Sequence, residues 1–188
     1  GEEGVNLTNM ASVSSATADN VPDNDSSALD SYVLAKCTPI LFGSAHAGKD
    51  GLADLYRINH GTGVAQLVGE TGFERIGALD FSPATGELFA TGERADGSDT
   101  PVLVKINPST GVGSEVGPMV LSKPIAGISF RHSDSVLYAF GGFADVHTID
   151  TLTGQETLLG RAGNPESGNG LSFTPADVLY NAGYNLFT

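Results

Sequence analysis

One phrase recurs through this chain. Ile58-Asn59-His60-Gly61-Thr62-Gly63 returns as Ile106-Asn107-Pro108-Ser109-Thr110-Gly111, and again as Ile149-Asp150-Thr151-Leu152-Thr153-Gly154. The closing glycines stand 48 and then 43 residues apart. Six residues after each comes an aliphatic-glycine pair: Val68-Gly69, Val116-Gly117, Leu159-Gly160. An apolar stretch follows: Leu79-Asp80-Phe81, Ile128-Ser129-Phe130, Leu171-Ser172-Phe173. Then come Leu88-Phe89-Ala90, Leu137-Tyr138-Ala139 and Leu179-Tyr180-Asn181, with Ile40 to Ser44 as an earlier copy. A period of 40–50 residues built from short strands is the signature of a blade array.

Each repeat parses into four strands. Strand A covers 76–82, 125–131 and 170–174. Strand B covers 40–44, 87–91, 136–141 and 178–182. Strand C covers 53–59, 102–107 and 145–150, and strand D covers 65–69, 114–117 and 155–160. Period-two alternation supports this: Leu55, Arg57 and Asn59 point one way, Tyr56 and Ile58 the other. The Asn/Asp-x-x-Thr-Gly links suit hairpins, because Asn and Asp bond the backbone two residues on and Gly accepts positive φ. The Pro of Ser82-Pro83 and Thr174-Pro175 presets φ for the A–B turn. The fold expected is all-β, with four-stranded antiparallel blades at about 31–69, 76–117, 124–160 and 168–188. That is 3.5–4 blades, with Ser31 to Cys37 offered as strand A of the first. Such an array is a partial ring, or one closed by the tail or by a partner. Residues 31–188 alone are not expected to make a closed monomer, since open edges and apolar faces need covering.

The pattern L-x-x-I-[ND]-x-x-T-G-x-x-x-x-[VL]-G, an apolar strand, then [ST]-P-x-x-G-x-L-[FY]-A resembles secreted bacterial β-propeller repeats over about Pro39 to Thr188. There is no Trp in the chain, hence no Trp-Asp dipeptide of the WD type. The resemblance implies an extracellular or periplasmic binding scaffold, surface protein or, in a minority, an enzyme.

Residues 1–30 are rich in Ser, Asn, Asp and Ala and poor in aliphatics. Such a tail is expected to be disordered alone or laid on a partner, because it cannot bury enough surface to offset its ordering entropy. Asp23, Asp25 and Asp30 do not complete a calcium loop, since Ala28 and Leu34 occupy the glycine and glutamate positions. The net charge is −13, from 22 acids against 9 bases, which argues against nucleic-acid and anionic-membrane partners. No apolar run approaches the roughly 18 residues of a membrane span. The lone Cys37 builds no disulfide framework. Gly1-Glu2-Glu3 carries no leader pattern.

No catalytic constellation is visible. His46, His60, His132 and His147 fall in separate loops and strands, and there is neither a H-E-x-x-H nor a G-x-S-x-G motif. In a propeller the D–A and B–C loops share one end. That end would gather Phe73, Glu74, Arg75, Lys123, Arg161, Asn164, Glu166 and Asn169, with His46, Lys49, Asp50, Glu93, Arg94, Asp96 and Asp99. Asp96 and Asp99 are the candidate calcium ligands. The expectation is a non-enzymatic binding or structural subunit with a protein partner and no cofactor. The alternative is a calcium-dependent hydrolase or lactonase with its site at the ring axis.

Overall fold

The computed structural model describes residues 5–12, 26–33, 40–46, 51–98, 100–119, 127–141, 145–161 and 168–183. The chain divides into two units, Gly1–Pro39 and Ile40–Thr188. In the first, β1 (Val5–Ser12) and β2 (Ser26–Val33) pair antiparallel from Val5 opposite Val33 to Ser12 opposite Ser26. Of the segment proposed as strand A of the first blade, Ser31–Val33 therefore pairs with β1 instead. The remainder, through Cys37, lies outside the described residues.

The second unit is a series of antiparallel blades. Blade one is β3 (Ile40–His46), β4 (Ala53–Asn59) and β5 (Ala65–Glu70). Blade two is β6 (Arg75–Phe81), β7 (Leu88–Glu93), β8 (Pro101–Ile106) and β9 (Gly113–Pro118). Blade three is β10 (Gly127–Phe130), β11 (Leu137–Phe140), β12 (Asp145–Ile149) and β13 (Glu156–Arg161). Blade four has β14 (Gly168–Phe173) and β15 (Leu179–Gly183) among the described residues. The fold is of the β-propeller type, and the strand bounds fall within about two residues of the sequence parse, the usual scatter at element ends.

Each residue of the recurring phrase has a mechanical job. In blade two the Asn107 carboxamide accepts from Ser109 N (2.9 Å), and Asn107 O accepts from Gly111 N (2.9 Å). Thr110 Oγ1 accepts from Val112 N (3.4 Å). Asn59 and Asp150 repeat the turn, and Gly63, Gly111 and Gly154 close it at φ 71, 84 and 76°. These angles cost glycine little and other residues more. The Val/Leu-Gly pair is a β-bulge. Val68, Val116 and Leu159 are the extra residues where the C–D register slips.

Alternation along the strands divides the core between neighbouring interfaces. Ala53 and Leu55 of blade one meet Leu88, Ala90, Val102, Val104 and Ile106 of blade two. The next residues over, Phe89 and Leu103, turn to the opposite side and meet Phe130, Leu137, Ala139 and Ile149 of blade three. Fully burying one such side chain contributes about 1.5–3 kcal/mol, so these layers dominate the stability. A ring pair marks every interface: Phe42 with Phe81 (5.6 Å between centroids), Phe89 with Phe130 (5.6 Å), and Tyr138 with Phe173 (5.0 Å). Phe81 is half-buried, while Phe130 and Phe173 are buried, so none of the three equivalents is exposed.

Candidate functional site

In an up-and-down blade the ends of strands B and D and the starts of A and C lie at one end. There the structure places Arg75, Glu93, Arg94, Asp145 and Arg161. Arg75 faces Glu93 across the β6–β7 ladder (3.4 Å), and Arg161 faces Asp145 across β12–β13 (2.9 Å). Arg94 grips Glu115 with both its Nε (2.8 Å) and a terminal nitrogen. Its guanidinium holds the Glu115 carboxyl below its ordinary pKa. The rim arginines thus already have carboxylates as partners, which lowers their availability to an anionic ligand.

Phe73 corrects the sequence reading. It is not a rim residue: its ring is buried in the first core layer, 2.7 Å from where a β-carbon on Gly113 would stand. Its carbonyl accepts from Ala53 N (2.7 Å). A loop aromatic with no polar atom gains more from that slot than from solvent. Glu74 is half-buried, its amide donating to Glu93 O (3.0 Å).

Asp96 closes its own hairpin tip. Its carboxylate accepts from Ser98 N (2.9 Å), and bonding to Ser98 depresses its pKa. Asp99, Lys123, Asn164, Glu166, Lys49 and Asp50, and the side chain of Asn169, lie outside what the structure describes. Among the described residues no three His, Cys, Asp or Glu side chains converge as metal ligands.

His46, His60 and His132 are exposed. His147 is buried in β12, with neither ring nitrogen partnered among the described residues. Burial pushes its pKa down.

A second surface follows from the repeat itself. The bulge glycines of blades one and two each receive the Thr-Gly turn of the next blade. A β-carbon on Gly69 would lie 2.1 Å from Thr110 O, and one on Gly117 would lie 2.0 Å from Thr153 O. At Gly160 a β-carbon would meet no described atom within 4 Å. Tyr180, equivalent to Phe42, Phe89 and Tyr138, is 64% exposed, with Val178 beside it at 50%. A third link shows the same progression. Asp80 Oδ2 accepts from Phe130 N (2.8 Å), and Ser129 Oγ accepts from Phe173 N (3.1 Å). The equivalent hydroxyl, on exposed Ser172, meets its own strand at Phe173 O (3.5 Å). Sequence reading missed this surface, although the Val-Gly spacing that signals it is plain.

No protein-family model and no curated protein matches the chain. Solved structures do. One is a chain of the nidogen/laminin complex, with TM-score 0.57 and 15% identity over 78% of this chain and 54% of that one. A protein of unknown function from Bacteroides thetaiotaomicron gives 0.58 and 14% over 81% and 38%. An auxiliary nutrient binding protein from the same organism gives 0.52 and 15% over 74% and 32%. At these identities the likeness is one of fold. The chain spans about half, or less, of the length of these structures. Among the described residues no helix is long and apolar enough to cross a membrane.

Proposed function

We propose that this chain is a non-enzymatic binding and structural propeller module, working outside the cytoplasm in a larger assembly. The observation that carries the reading is the blade array itself, locked between blades at Gly69 and Gly117, beside a rim where Arg75, Arg94 and Arg161 are each held by a carboxylate. Two structural neighbours, a chain of a protein complex and a nutrient binding protein, fit a binding role. The paired state of Arg75, Arg94 and Arg161 favours a structural over a catalytic rim. A location outside the cytoplasm rests on the repeat's resemblance to secreted propellers.

Calcium titration of the chain, with lactonase and esterase assays before and after chelation, tests this. Neither saturable calcium binding nor turnover is expected. Stoichiometric calcium, with an activity lost on chelation, contradicts the reading.

A further inference from the structure

The chain has nine Lys and Arg, of which Lys36, Lys49 and Lys123 lie outside the described residues. Of the six described, Arg75, Arg94, Lys105, Arg131 and Arg161 are each ion-paired. Arg57 is the exception: it is exposed and has no carboxylate partner among the described residues. In a protein of net charge −13 an unmatched guanidinium stands out.

The repeat explains why. Arg57 sits opposite Phe42 on β3 and Gln66 on β5, as Lys105 sits opposite Phe89 and Ser114 one blade later. Lys105 is held by Glu87, and that bond lowers the Glu87 pKa. At the position equivalent to Glu87, blade one carries Ile40, which is 47% exposed. The neutralising carboxylate has been replaced by an apolar side chain. Blade three has Val136 and Thr148 at these positions and carries no charge there.

Arg57 also borders a cavity. A groove of about 600 Å³ runs between blades one and two. Ile40, Phe42, Val68, Phe81 and Pro108 supply its apolar wall, and Arg57, Gln66 and Ser109 its polar groups. Phe42 and Phe81 meet at a tilt of 58°. The volume is in the range of small-molecule sites, roughly 300–1,000 Å³, which combine an apolar lining with few polar groups. A guanidinium matches a carboxylate bidentately, with Gln66 able to donate a further bond.

We infer that the groove between blades one and two is a binding site for a small aromatic carboxylate, its carboxylate held by Arg57 and its ring by Phe42 and Phe81. The site rests on Arg57, Phe42 and Phe81 and not on the rim, so its test is independent of the calcium and turnover assays.

Titration of the intact chain with 3-phenylpropionate, followed by amide NMR shifts, tests the inference, with 3-phenylpropanamide as the neutral control. Saturable shifts at Phe42, Arg57 and Gln66 are expected, with the amide at least about tenfold weaker. Arg57→Gln should lose the preference for the acid. Ile40→Glu, which copies the blade-two arrangement, should abolish acid binding while leaving thermal unfolding intact. Equal binding of acid and amide by the unaltered chain, a preference for the acid kept in Arg57→Gln, acid binding undiminished in Ile40→Glu, or no saturable shift overturns the proposal.

Discussion

Gly69, Gly117 and Gly160 stand at one position of a recurring sequence phrase, yet their surroundings differ among the described residues. At the first two, the glycine is needed because a carbonyl of the next blade stands where a β-carbon would be. At the third no described atom lies within 4 Å of that place. Comparing equivalent positions separates residues serving their own blade from those serving the next.

The sharpest way to break this comparison is Gly117→Val. The new β-carbon would overlap the Thr153 carbonyl, and backbone on both sides leaves little room to relax. The cost should exceed about 4 kcal/mol, within the exceptional range for a single substitution. Urea denaturation measures it. A loss under about 1 kcal/mol would show that the blades slide freely.

Phe130→Ala comes next. Phe130 is buried and pairs with Phe89, so about 3–5 kcal/mol is expected. Phe81→Ala, at the half-buried equivalent, should cost less in the same assay. The reverse order would contradict the register of the repeats.

Asn107→Ala removes the side-chain acceptor for Ser109 N and should cost about 1 kcal/mol by thermal melting. No change would mean the turn is held by Gly111 alone.

The smallest effect concerns His147. Its folded pKa lies below the ordinary value, so the unfolded chain binds the proton first. Stability then falls as pH drops through about 6.5, the ordinary imidazole value, and towards the folded value. Val104 is the blade-two equivalent. In His147→Val this part of the acid sensitivity should vanish, leaving that of carboxylates such as Glu115. Denaturation midpoints of the two proteins should diverge as pH falls from about 7.5 to about 5.5. Parallel curves would show that His147 titrates normally.

Much of this was readable in advance. Turn chemistry is local, so Asn107, Thr110 and Gly111 announce a hairpin, and Leu88-Phe89-Ala90 announces a strand with two buried faces. What escaped was set by distant neighbours. Phe73 looked like a loop residue because nothing near it in sequence reveals the slot opposite Gly113. The β1–β2 hairpin escaped because its strands are polar and their pairing has no periodic apolar signature. The arginines Arg75, Arg94 and Arg161 looked available until Glu93, Glu115 and Asp145 came within reach. Arg57, in contrast, shows in sequence only its strand phase, and its lack of a carboxylate partner among the described residues emerges on aligning Ile40 with Glu87.

The central claim is that the bulge glycine of one blade seats the Thr-Gly turn of the next. Gly69→Val tests it most directly, read by urea denaturation. The predicted result is a loss comparable to that of Gly117→Val, above about 4 kcal/mol, because a β-carbon there would lie 2.1 Å from Thr110 O. A loss under about 1 kcal/mol would contradict the account.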